Sequence, residues 1–165
     1  MSPFRSVAVL ATLALASACQ TSGNEAMSDA ARSQVEAEVR AAADAVISGF
    51  NRGDPAPYLD QLTDNQIYVE NLMMYPSVDS VRGAVNQFMS SGMSVKMEWT
   101  GEPKVIGLGP DLGVFSSTMR ESLTDASGAN SIVDAAWTAV YQRLGGSWKI
   151  IAAHESTVAP PSEGM

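Results

Sequence analysis

The sequence predicts an α+β fold with helices packed on one face of an antiparallel sheet. Two observations carry this. Before Gly92, apolar residues recur at helical spacing in separate segments that open on capping residues. After Gly92 the period changes to two, in consecutive segments joined by turn residues.

The elements follow in order. Over 28–51, Val35, Val39, Ala42, Ala43, Val46 and Phe50 fall on one helical face, with Ser28 placed to cap the start and Gly53 to close the end. Asp54-Pro55 then reads as a cap followed by proline at the first helical position, opening a short helix through Leu62. A short strand is expected over 67–70. Ser77 can cap a third helix with Val78, Val81, Val85, Phe88 and Met89 on its inner face, and Gly92 ends it. Next, Val95, Met97 and Trp99 alternate with Lys96, Glu98 and Thr100. Further strands are expected over 104–108, 112–123, 132–144 and 147–156. Gly109-Pro110-Asp111, residues 125–130 and Gly145-Gly146 are the turns between them.

The ends of the chain read differently. Arg5 is followed by an apolar run over 7–16 and by Ser17, Ala18 and Cys19. That is the layout of a secretory signal. The run is too short for a ~30 Å hydrocarbon layer, which needs roughly 20 residues. Leu15-Ala16-Ser17-Ala18-Cys19 resembles the bacterial lipobox, with Ala16 where leucine is commoner. The resemblance implies a signal peptide over 1–18, a lipid on Cys19 and a polar tether over 19–27. Gln20 after Cys19 then implies, for a Gram-negative cell, anchoring at the outer membrane facing the periplasm. Each buried CH₂ adds about 0.8 kcal/mol, so a multiply acylated cysteine holds firmly. One domain over 28–157 and a Pro-rich tail over 158–165 complete the chain.

Composition narrows the function. The 165-residue chain carries a formal net charge of -8, and no Lys/Arg cluster is visible. Nucleic acid is therefore a poor partner. A single cysteine and a single histidine argue against an internal disulfide, a zinc cage or another transition-metal site. There is no nucleophile motif and no phosphate loop, and no cofactor is expected.

Near its end the chain carries Trp137-Thr138-Ala139-Val140-Tyr141, then residues 145–151 (GGSWKII), then His154-Glu155-Ser156; the opening helix ends on residues 50–54 (FNRGD). Together these resemble the SnoaL-like branch of the nuclear transport factor 2-like superfamily. The resemblance implies a cone-like, strongly curved sheet wrapped around the N-terminal helices, with an internal pocket. That fold hosts cyclases, isomerases, dehydratases, oligomerisation modules and binding proteins, so fold alone does not decide function.

Candidate site residues follow from chemistry. His154 is the one side chain that titrates near neutral pH unaided, which makes it a general acid or base, or a structural histidine bonded to the backbone or Ser156. Asp134 interrupts an apolar strand. In an apolar pocket it would suit proton abstraction; on the outer face it would pair with Arg120. Tyr68, Glu70, Tyr75, Trp99, Arg120 and Ser156 are candidate ligand contacts. Met73, Met74, Met89, Met93 and Met97 are candidates to line an adaptable apolar cavity or to fill the core. Simple alternation on the last strand puts Trp148, Ile150, Ala152, His154 and Ser156 on one side. Neither face of the last two strands is purely polar, which predicts a homodimer. The expected function is an exported, lipid-anchored domain that binds a small apolar ligand without catalysis. A cofactor-independent isomerase, cyclase or dehydratase using Asp134 and His154, and an oligomerisation or protein-interaction module, are the alternatives.

Overall fold

The computed structural model describes residues 27–158. The expected signal segment, Cys19, the expected tether before Met27 and the expected tail beyond Val158 lie outside the described residues. Among the described residues no helix is long and apolar enough to cross a membrane.

Helix α1 spans Asp29–Asn51, and the Ser28 side chain accepts a bond from the Ala31 amide at 3.2 Å. This satisfies one of the amides that a helix start leaves without a partner. The face predicted from spacing is the one that is buried, with Val35, Val39, Ala43, Val46 and Ile47. Each of the valines and the isoleucine contributes roughly 1.5–3 kcal/mol when fully withdrawn from water. The chain turns back immediately after α1. A Cβ on Gly49 would sit 2.6 Å from the Asp54 carbonyl oxygen, so only glycine lets the two backbones approach this closely. Asp54 Oδ1 accepts from the Ala56 amide at 3.0 Å and starts helix α2, Ala56–Leu59. This helix stops before Leu62, because Leu62 already belongs to a strand.

That strand, β1, spans Leu62–Glu70 and starts five residues earlier than expected. It turns at Asn71, whose φ is 53°, into the two-residue strand β2, Met73–Met74. Asparagine tolerates the left-handed region better than most residues. Helix α3 spans Val78–Ser90 and opens on a reciprocal capping box between Ser77 and Ser80. Five strands complete the fold: β3 (Ser94–Trp99), β4 (Lys104–Gly109), β5 (Leu112–Thr124), β6 (Asn130–Leu144) and β7 (Ser147–Val158). Strand β7 thus runs one residue past the expected end of the domain.

The strands form one curved, unclosed sheet in the order β2-β1-β7-β6-β5-β3. Strands β3 and β4 share one edge of β5, β3 along Met119 to Thr124 and β4 along Leu112 to Ser116. All pairs are antiparallel except β1 with β7, which run parallel. Hairpin connections give antiparallel pairs. The first and last strands are instead joined through everything between them, so no turn signal announces this pairing.

One irregularity decides which side chains face inward. Val140 pairs with Ala152, but Tyr141 pairs with Ile150, so Ile151 is an extra residue on β7. Such a bulge reverses the alternation beyond it. Trp148 and Ile150 therefore share the concave face with Ala153 and Glu155, while His154 and Ser156 turn to the outside. This corrects the simple alternation expected for the last strand.

The concave face packs on α1 through an aromatic cluster. The Phe115 ring lies 5.0 Å from Trp99 and 5.5 Å from Trp137, and Trp137 meets Tyr141 edge-on at 6.5 Å. Polar pins fix the helix to the sheet. Trp99 Nε1 donates to Asp44 Oδ1 at 2.8 Å. Trp148 Nε1 and Arg143 both donate to Glu38, the former at 3.0 Å, and the Arg143 guanidinium stacks 4.5 Å over the Trp148 ring. The Trp148, Gln34 and Arg143 donors together hold the Glu38 carboxyl down at about 2.

Candidate functional site

Between α1, α3 and the concave face of the sheet lies a cavity of about 330 Å³. Its walls are mainly apolar. Val46, Ile47 and Phe50 come from α1, Val81, Ala84, Val85 and Phe88 from α3, and Val95, Met97, Met119, Leu123 and Trp137 from the sheet. The polar lining is of one kind. Three carboxyls (Glu70, Glu121 and Glu155) and three phenols (Tyr58, Tyr68 and Tyr75) face the space, and no lysine or arginine does.

Strand register assembles this group. Glu70 stands beside Glu155 across the parallel β1–β7 pair, and Tyr68 stands beside Ala153. Glu155 lies opposite Trp137 on β6. On β5, Met119, Glu121 and Leu123 occupy alternate positions and share the inner face with Phe115. Tyr68 donates to Glu155 Oε2 at 3.3 Å, and Tyr75 donates to Glu70 Oε2 at 2.9 Å. The Tyr68 and Tyr75 rings are 5.2 Å apart.

Burial and mutual repulsion shape the protonation of these groups. Burial, reinforced by the charges of Glu121 and Glu70, raises the Glu155 carboxyl to about 8, against a smaller opposing effect of the Tyr68 hydrogen bond. Glu121 is raised by burial and then by Glu70. Tyr75 is pushed up to about 12 by burial and by its bond to Glu70, and burial also raises Tyr58 and Tyr68. Near neutral pH, Glu155 can therefore hold a proton or release one. Among the described residues, no group of three or more His, Cys, Asp or Glu side chains is arranged to hold a metal ion.

The structure divides the residues expected from sequence. Tyr68, Glu70 and Tyr75 line the cavity. Asp134 and His154 do not, and this corrects their expected convergence on the pocket. Asp134 is exposed on the outer face, where Arg120 Nε donates to Oδ1 at 2.8 Å. That bond lowers the Asp134 carboxyl, the reverse of the shift an apolar pocket would cause. His154 is exposed opposite Thr138, also on the outer face, and Ser156 lies opposite Ala136 there. Arg120 serves as Asp134's partner and does not line the cavity. Trp99 belongs to the core, stacked almost parallel to Trp137 at 6.1 Å. Of the five methionines singled out, Met97 lines the cavity, while Met73 and Met74 are exposed on β2. Glu121, Glu155, Tyr58 and Met119 are contributors that sequence reasoning missed. The regular alternation around Glu121 was a usable signal. For Glu155 the bulge at Ile151 hid it.

A curved sheet of this topology, closed over by helices around a pocket, is the nuclear transport factor 2-like fold. Over residues 35–159 the chain matches the family described as calcium/calmodulin dependent protein kinase II association domain, and it belongs to that family. The fold superfamily agrees with the resemblance seen in the sequence, although the matching family is not the SnoaL-like branch named there. Solved structures agree in fold. A proposed association domain of the same description from Xanthomonas campestris superposes with a TM-score of 0.61 at 24% identity, covering 76% of this chain and 87% of that one. A ketosteroid isomerase-like protein from Erwinia carotovora gives 0.65 at 19% identity, covering 76% and 97%. A nuclear transport factor 2-like superfamily protein from Salmonella enterica gives 0.66 at 13% identity, covering 81% and 99%. No curated protein matches the sequence.

Proposed function

We propose that this domain binds a small, mostly apolar molecule in its cone pocket, and that the protein is exported and held at a membrane by a lipid on Cys19. The cavity carries the first part. Its volume of about 330 Å³ falls at the lower end of the roughly 300–1,000 Å³ of small-molecule sites, and its few polar groups converge on an otherwise apolar space. Ala84 on α3 offers a direct test, because its small side chain borders the cavity. Ala84→Trp fills the space. Native mass spectrometry of protein taken from its own cells is expected to show a bound small molecule, and Nile red is expected to bind once that molecule is stripped. Both signals vanish in Ala84→Trp while its circular dichroism stays native. A stripped wild-type protein that ignores Nile red overturns the reading.

The anchor rests on the lipobox-like residues before Cys19. In Triton X-114 partition the wild-type protein is expected in the detergent phase and Cys19→Ser in the aqueous phase. A wild-type protein found in the aqueous phase removes the anchor. Self-association belongs to the same proposal. The outer sheet face leaves Ile106 and Ile132 exposed, and the family is described as an association domain.

A second reading is favoured by one observation, the Glu155 carboxyl at about 8 inside an apolar cavity. A carboxyl so placed suits proton transfer to or from a carbon acid, as general-base catalysis near neutral pH requires. In that cofactor-independent, isomerase-type reading, Glu155 takes the part that sequence reasoning gave to Asp134 and His154.

A further inference from the structure

The pocket combines two features that a neutral apolar ligand leaves unexplained. Its carboxyls come from three separate strands (Glu70 on β1, Glu121 on β5 and Glu155 on β7), and no basic side chain faces them. Buried carboxyls are ordinarily paired with a cation or fully hydrogen-bonded, because an unpaired buried charge is costly. Here each of two carboxyls has a single tyrosine donor, Tyr75 for Glu70 and Tyr68 for Glu155. The remaining wall is rich in ring faces, including Phe50, Tyr58, Phe88 and Trp137. Aromatic faces attract a cation through their quadrupole, most strongly where water is excluded.

We infer that the cavity selects a small organic ammonium ion with an apolar body, its cationic head set against Glu70, Glu121 and Glu155 and its body against α1 and α3. This rests on the pocket-binding reading above and gives it a ligand class. An anion meets only like charge. A metal ion lacks a convergent ligand set among the described residues. A quaternary or tertiary amine needs no such convergence, because its charge is spread over a bulky apolar head that fits against rings and carboxylates together. A bound cation also offsets the repulsion among the three carboxyls. It therefore favours ionised Glu155, and binding releases a proton wherever Glu155 was protonated beforehand.

The pH dependence follows from the groups that face Glu155. These are Tyr68 and Glu70 on β1, Glu121 on β5, the buried Tyr58 of α2 and the half-buried Tyr75, whereas His154 points to the other side of the sheet. A permanently charged ligand does not titrate, so its affinity rises as Glu155 ionises and levels off above that range.

The test is a matched pair of ligands, phenyltrimethylammonium and its neutral isostere tert-butylbenzene, titrated into the full-length protein by displacement of Nile red. The expected result is at least a tenfold preference for the cation at pH 9, reduced several-fold at pH 6. Glu155→Gln is expected to remove most of both the preference and its pH dependence, and Glu121→Gln to weaken the preference independently. Equal affinity for the two ligands in the wild type overturns the inference and leaves the pocket reading standing. Failure of Nile red itself to bind overturns the pocket reading, and the inference with it.

Discussion

Phe115→Ala is expected to lower the unfolding free energy by about 3–5 kcal/mol, the range found when a large aromatic side chain is deleted from a close-packed core. Phe115 is fully buried on β5, where its ring and those of Trp99 and Trp137 form a mutually contacting triangle. Its neighbours across the sheet are Val105 on β4 and Ala139 on β6. None of these can fill the space without leaving its own contacts. Trp99 is held by its bond to Asp44, and Trp137 forms part of the cavity wall. Urea denaturation reads the loss as a shifted midpoint at unchanged slope. A loss below about 1 kcal/mol would mean that the cluster collapses around the gap and is not the rigid floor of the pocket.

Glu155→Gln is expected to stabilise the protein, by an amount that grows as pH rises above the ordinary carboxyl range. The direction follows from linkage. An ordinary carboxyl titrates at 4.5, and in the folded protein Glu155 titrates at about 8. The native state therefore holds a proton that the unfolded state releases between these values. The stability tied to that proton is complete below the unfolded value and is lost as pH rises through the folded one. The gap corresponds to roughly 4–5 kcal/mol at most, since each pH unit is about 1.4 kcal/mol, and hydration of the partly open cavity reduces it. Glutamine keeps an oxygen that can accept from Tyr68 and never ionises. The variant and the wild type should thus be closely matched at pH 4, diverge from about pH 4.5 up to about pH 8, and keep a constant difference of several kcal/mol above pH 9. Chemical denaturation at these pH values measures it. A difference that is flat with pH would show that Glu155 ionises as an ordinary surface carboxyl does.

Both predictions concern residues that the chain reveals unequally. The helices are legible because their signals are local. Ser28 and Ser77 cap where capping serines should, and the spacing of Val35, Val39 and Val46 states which face is buried. The long strands β5 and β6 are legible for the same reason, being bounded by turn residues. Tyr68, Glu70 and Tyr75 could be suspected because they cluster in sequence. What the chain hides is whatever depends on register. Asp134 looks like a polar group in an apolar strand, but it is opposite Arg120 on the outer face, and only the strand pairing shows this. Glu155 looks like the neighbour of a more promising histidine. A single extra residue, Ile151, exchanges their roles, turning His154 out and Glu155 in. The parallel match of β1 with β7 has no local signature at all.

That parallel match also sets when the pocket can exist. Tyr68 and Glu155 are 87 residues apart in sequence, yet they share a hydrogen bond, and the strands that carry them are the first long strand and the last. Closing so long a loop costs entropy before any contact rewards it, so domains dominated by such pairings fold on the millisecond-to-second scale. The acidic end of the cavity is completed only when β7 docks against β1 and brings Glu155 beside Glu70. A chain still lacking its final strand can carry helices and hairpins, but it lacks the completed cavity. On the proposed binding reading, ligand recognition waits on completion of the fold, and a ligand that prefers the finished pocket holds the last strand to the first.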